Sequence, residues 1–127
     1  MTLDKEQESN DMAGKVLALD TSIMSVGVIS DSGIPLGGAI RRDLQGKLSQ
    51  DKRQWVSRAF RVAAIMGAVR TEDAELSSIK SIELIREESK SLLIRIPKSR
   101  VILAVVFDKA KAGSELSDNI RRIYGLK

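Results

Sequence analysis

A chain of 127 residues, 43% apolar and 30% charged, has the length of one domain and enough apolar content to bury a core unaided. It contains neither Cys nor His, which removes disulfides, thiol chemistry, Ser–His and Cys–His pairs, and most zinc and copper sites. The formal net charge of +4 is uneven: residues 1–40 carry −4, residues 41–70 carry +6, and the rest +2. Met1–Met12 is acidic and polar, unlike the basic-then-apolar start of a signal peptide, and no apolar run approaches a membrane span. The expectation is a cytoplasmic protein that is not an enzyme, with no catalytic residue, cofactor or metal site.

Residues 1–9 read as a flexible N-terminus ahead of a single domain over residues 10–127. Met12, Val16 and Leu19 recur at i, i+4 and i+7, the spacing of a short helix capped by Ser9 or Asn10. Gly14 weakens that helix, and Lys15–Asp20 reads alternatively as a strand. Ile23–Ser30 and Ile34–Ile40 flank Asp31-Ser32-Gly33, a turn with Gly in its last position, and so predict a hairpin. Pro35 has no N–H to give a ladder, which places the second strand at a sheet edge.

A polar loop, Arg41–Gln50, ends in Ser49 as a cap. The long helix predicted after it buries a stripe of Trp55, Ala59, Val62, Met66 and Val69. Its opposite side carries Ser57, Arg61, Ala64 and Ala68, and Val62–Val69 is apolar or Gly throughout. So small a domain has too little core to hide such a helix, and the simplest cover is a second copy of it. The basic side chains of this region are Arg41, Arg42, Lys47, Lys52, Arg53, Arg58, Arg61 and Arg70. They suit an acidic partner or nucleic acid. The plainer reading is a solvated helix face and loop, because no aromatic residues alternate with them to stack bases.

Ile79–Arg86 and Lys90–Ile96 form a second hairpin across Glu87-Glu88-Ser89, and Pro97–Arg100 is a turn. Val101–Phe107 is a continuous apolar strand for the middle of a sheet buried on both faces. Asp108 is expected to cap the following loop, and Ser114 a last helix with Leu116, Ile120 and Ile123 on one face.

Leu17-Ala18-Leu19-Asp20-Thr21-Ser22, followed by an apolar strand, resembles the opening of the actin-like ATPase superfamily. That resemblance implies an Asp20 poised for metal and phosphates at a strand end, a degenerate nucleotide site. It stops after about a dozen residues, and no phosphate loop follows. The competing reading, which the residues favour, is a helix end with Asp20, Thr21 and Ser22 in a turn.

A second resemblance covers residues 10–125. Ser25-Val26-Gly27-Val28-Ile29-Ser30-Asp31-Ser32-Gly33-Ile34-Pro35-Leu36 is similar to the first hairpin of the roadblock, or dynein light-chain-type, domain family. Short archaeal members of that profilin-like architecture show the same element order, α-β-β-α-β-β-β-α. The resemblance implies an α+β sandwich: a five-stranded antiparallel sheet with one long helix on one face and two shorter helices on the other. It also implies a non-enzymatic platform that dimerises through the long helix and third strand and docks or regulates Ras-like GTPases or motor complexes. On this chain that interface falls on Ser57, Arg61, Ala64, Ala68, Ile82 and Leu84. The expected partners are therefore a second copy and a small GTPase or other protein, not nucleic acid. Gly37-Gly38 and the basic loop after them depart from the family pattern.

Overall fold

The computed structural model of the chain describes residues 2–30, 33–41, 81–96 and 99–124. The long helix expected between the two hairpins, with Ser57, Arg61, Ala64 and Ala68, lies outside the described residues. So do all the basic side chains of that region except Arg41.

Helix α1 runs Thr2–Leu17, starting well before the expected cap at Ser9 or Asn10. The sequence pattern understates it because its described apolar contacts fall in the second half: Ala13 and Val16 are fully buried, with Met12 and Leu17 against them. The polar first half is supported by a bond from Gln7 Nε2 to Asp11 Oδ1, 2.9 Å, one turn apart. Gly14 sits inside the helix, so the strand reading of Lys15–Asp20 fails. Leu19, expected on the buried stripe, falls past the helix end and is half exposed.

Strand β1, Ile23–Ser30, and strand β2, Pro35–Ile40, form the first predicted hairpin. Gly33 has φ 94°, the left-handed conformation that its place in the turn requires. Strand β3, Ser81–Ile85, and strand β4, Ser89–Arg95, form the second, and strand β5 spans Val101–Asp108. The sheet order is β2-β1-β5-β4-β3, antiparallel at every step. The most apolar strand thus lies in the middle and Pro35 lies on an edge, both as the sequence predicts.

One face of the sheet gathers Val26, Val28, Leu92, Ile94, Leu103, Val105 and Phe107. Both described helices pack on it, α1 through Ala13 and Val16, and α2 (Leu116–Ile123) through Leu116 and Ile120. Ile23 joins the same face because the register shifts between Ile23 and Ser25, which reverses the alternation at the start of β1. The other face carries a second cluster of Ile29, Leu93, Ile102 and Ala104, with Ile82 and Leu84 of β3 against it.

Two details of α2 differ from expectation. Its N-cap is Glu115 in a helical conformation with no side-chain cap bond, not Ser114. The chain enters instead through a tight turn in which Ala112 N–H donates to Asp108 C=O and Leu116 N–H to Gly113 C=O. Ile123 is exposed, and Tyr124, one turn after Ile120, takes its place against the core. Asp108 does cap the loop, accepting from Ala110 N–H at 2.9 Å.

Candidate interaction edge

Among the described residues, strand β3 is the open end of the sheet. The hairpin closes with Arg86 N–H donating to Ser89 C=O at 2.9 Å. Counting back by the alternation of an antiparallel ladder, Leu84 and Ile82 bond to β4, while the backbones of Ile85, Glu83 and Ser81 turn outward. Among the described residues nothing pairs with those outward groups. Side chains alternate the other way: Ile82 and Leu84 extend the apolar cluster on one face, and Ser81, Glu83 and Ile85 share the face on which α2 lies.

A charged cluster fixes that second face. Glu83 is held by Lys90 at 3.1 Å and by Arg121 of α2 at 2.9 Å. Arg121 also donates to Asp118 at 2.9 Å and, through Nε, to Ser81 Oγ at 3.0 Å. Partial burial alone would push the Glu83 carboxyl up, but the bonds from Lys90, Arg121 and Ser117 outweigh it and hold it below the ordinary glutamate value. One arginine thus ties the last helix to the two β3 residues nearest it.

The opposite edge is closed. Helix α1 lies across β2, and Asn10 Oδ1 accepts from Gly38 N–H at 2.9 Å. A Cβ on Gly37 would stand 2.7 Å from Asn10 Oδ1 and from Ser9 Cβ, and one on Gly38 would stand 2.8 Å from the Val26 carbonyl oxygen. Gly37 is therefore what lets the helix settle on the strand, and Gly38 what lets β2 lie close against β1.

No protein-family model and no curated protein matches the sequence. Solved structures do. The Roadblock/LC7 domain from Streptomyces avermitilis superposes with a TM-score of 0.69 at 8% identity, covering 91% of each chain. Myxococcus xanthus MglB gives 0.67 at 15% identity, over 95% of this chain and 90% of that one. An MglB with a tetrameric arrangement gives 0.68 at 13% identity, over 95% and 90%. The fold is that of the roadblock domain.

Within that roadblock fold, Ile82 and Leu84 of the predicted interface lie on the open β3 edge, while Ser57, Arg61, Ala64 and Ala68 fall outside the described residues. Asp20 is not at a strand end. It sits between α1 and β1 and accepts from Ser22 N–H at 2.8 Å, a local turn bond that holds its carboxyl below the ordinary range. The neighbouring Thr21 carbonyl accepts from Arg41 Nη1. Asp20, Thr21 and Ser22 therefore lie in a turn, as the competing reading has it. A cleft of about 320 Å³ opens beside Asp20, lined by Ser114, Glu115, Leu116 and Asn119 among others. Among the described residues no group of acidic side chains is arranged to hold a metal ion. Nor is any described helix long and apolar enough to cross a membrane.

Sequence reasoning missed the Glu83–Lys90–Arg121 cluster. Half of it was accessible: a hairpin closing at Glu87–Ser89 puts residues 83, 85, 90 and 92 on one face. Arg121 comes from 38 residues away, and nothing local announces it.

Proposed function

We propose that this chain is a non-enzymatic, homodimeric scaffold or regulatory module of the cytoplasm that docks or regulates a small Ras-like GTPase. The observation that carries the reading is the unpaired, alternating β3 edge on a roadblock-type fold. An edge of that kind is a template for another strand unless something covers it, and among the described residues α1 lies over the other edge while none lies over this one. The apolar run Val62–Val69 asks for cover as well. The interface of the proposed dimer is Ser57, Arg61, Ala64 and Ala68 together with Ile82 and Leu84. Support for self-association also comes from MglB, a protein of this fold solved in a tetrameric arrangement. The GTPase follows from the resemblance of the first hairpin to the roadblock family.

Light scattering on the native protein and on Ala64→Glu tests the assembly. The expected native mass is twice 13.9 kDa, reduced to one chain by the buried charge. A native monomer would remove the scaffold reading. Titration with Ras-like GTPases loaded with GTP or GDP then tests the partner, and equal absence of binding in both states would remove that half of the proposal.

A further inference from the structure

We propose that α1 is a helix of two lengths, whose first half, Thr2–Glu8, unwinds as a unit and hands Asn10 from strand β2 to the shortened helix. The inference concerns the closed edge and stands whether or not the chain dimerises. It begins from the order of residues along the helix. Burial follows Ser9, Ala13 and Val16 at i, i+4 and i+7, whereas Glu6, Gln7 and Glu8 are exposed. The described contacts with the core come from Met12, Ala13, Val16 and Leu17. A Cβ on Gly37 would stand 2.7 Å from that of Ser9, so Ser9 is where the described grip of the sheet on the helix ends. Unwinding Thr2–Glu8 therefore exchanges exposed helical bonds for bonds to water and keeps all of these core contacts.

The hinge is written into the residues at that point. Ser9, Asn10 and Asp11 stand in the middle of the helix, although side chains of these types compete with a helical backbone and favour its N-terminus. Asn10 is a preferred N-cap, and Asp11 would follow it in the first turn, where a carboxylate meets the positive end of the helix dipole. As a cap, Asn10 leaves the helical conformation and its Oδ1 turns back to accept from the N–H of Met12 or Ala13. In the long helix the same Oδ1 accepts from Gly38 N–H at 2.9 Å. The two roles exclude each other. Wound, the arm keeps Asn10 on the outward donor of β2; unwound, it frees that donor while Asn10 closes the new helix end. The device is an autoinhibitory contact, an edge donor masked by a side chain that has a second place to go.

Proline separates the two forms. At Asp11 it is the first residue of the short helix, a position that proline favours, but an interior residue of the long one. It also turns the residue before it, Asn10, out of the helical conformation, as a cap requires. At Lys15 proline is interior to both forms. Read against Asp11→Ala and Lys15→Ala in denaturant melts, the folding equilibrium should fall by under about tenfold in Asp11→Pro and by roughly a hundredfold in Lys15→Pro. Equal losses would overturn the proposal. Amide hydrogen exchange reads the native protein directly. Gly38 should exchange together with Glu6–Asp11, and faster than the amides of β5, because one opening releases them all. In Asp11→Pro the protection of Gly38 should be lost while that of Val16 and of β5 remains. Gly38 exchanging apart from Glu6–Asp11 in the native protein, or still protected in Asp11→Pro, would overturn the proposal as well.

Discussion

The two edges of one sheet have been treated in opposite ways. At β2 the strand begins with Pro35, its register slips between Val28 and Ile29, and Gly37 admits α1, whose Asn10 takes the outward N–H of Gly38. At β3 the five residues Ser81–Ile85 alternate cleanly, and Glu83 with Lys90 and Arg121 forms a side-chain cluster that lies on a face. Edge strands invite unwanted pairing, and proteins blunt them with proline, bulges and covering helices. Among the described residues all three devices fall on one edge and none on the other. The same difference in backbone pairing is what the proposed assembly calls upon, since among the described residues only the β3 edge keeps its outward groups unpaired by a neighbouring element.

The sharpest way to break the contrast is to fill the space that closes β2. In Gly38→Val the new Cβ would press on the Val26 carbonyl, a backbone atom that cannot swing aside. The expected loss is about 3 kcal/mol, the upper part of the range for overpacking. It reads out as a lower urea midpoint at unchanged slope. Valine is otherwise a better strand former than glycine, so an unchanged or raised midpoint would mean that β1 and β2 do not meet as closely at Gly38 as described.

Much of this arrangement is legible in the sequence, and the reason is local physics. Both hairpins declare themselves through alternation and turn chemistry, Val101–Phe107 through its unbroken apolar run, and the edge position of β2 through Pro35. The rest depends on contacts between distant residues. Asn10 meets Gly38 across 28 positions, so the glycine pair reads only as a departure from the family pattern until the helix is placed upon it. The first half of α1 is polar apart from Leu3 and shows no apolar periodicity to read. Ser114 is a good cap by type, but the turn through Asp108 and Gly113 starts the helix one residue later. The Asp20 segment shows the reverse case, a short string that resembles a nucleotide site and folds as the turn its residues favour.

A smaller change tests the closure itself. Asn10→Ala removes the side chain that occupies the Gly38 donor while leaving α1, Pro35 and the glycines in place. The bond is solvent-exposed, so water replaces it in part, and the expected cost is about 0.5–1 kcal/mol in a denaturant melt. The solution mass should not change, because a helix still lies across the strand. A rise in mass would show that one hydrogen bond had been keeping a second edge from pairing.

The smallest effect belongs to the open edge and appears with pH. Glu83 titrates below the ordinary glutamate value of 4.5 because Lys90, Arg121 and Ser117 favour its charged form over the opposing effect of burial. In that window the unfolded chain binds the proton more readily than the folded one, so stability rises with pH. The contribution is complete above the unfolded value and disappears as pH falls through the lower folded one. For partly exposed ion pairs it amounts to about 1 kcal/mol or less. Asp20, also lowered, would give a signal of the same sign. The measurement must therefore be a difference: native protein against Glu83→Gln, melted side by side from pH 6 downward at one low protein concentration. Asp20 titrates alike in both and cancels. The gap should be widest near neutrality and close as the pH drops below 4.5. A gap that stays constant through that range would mean that the Glu83 carboxylate gains nothing from its two cations.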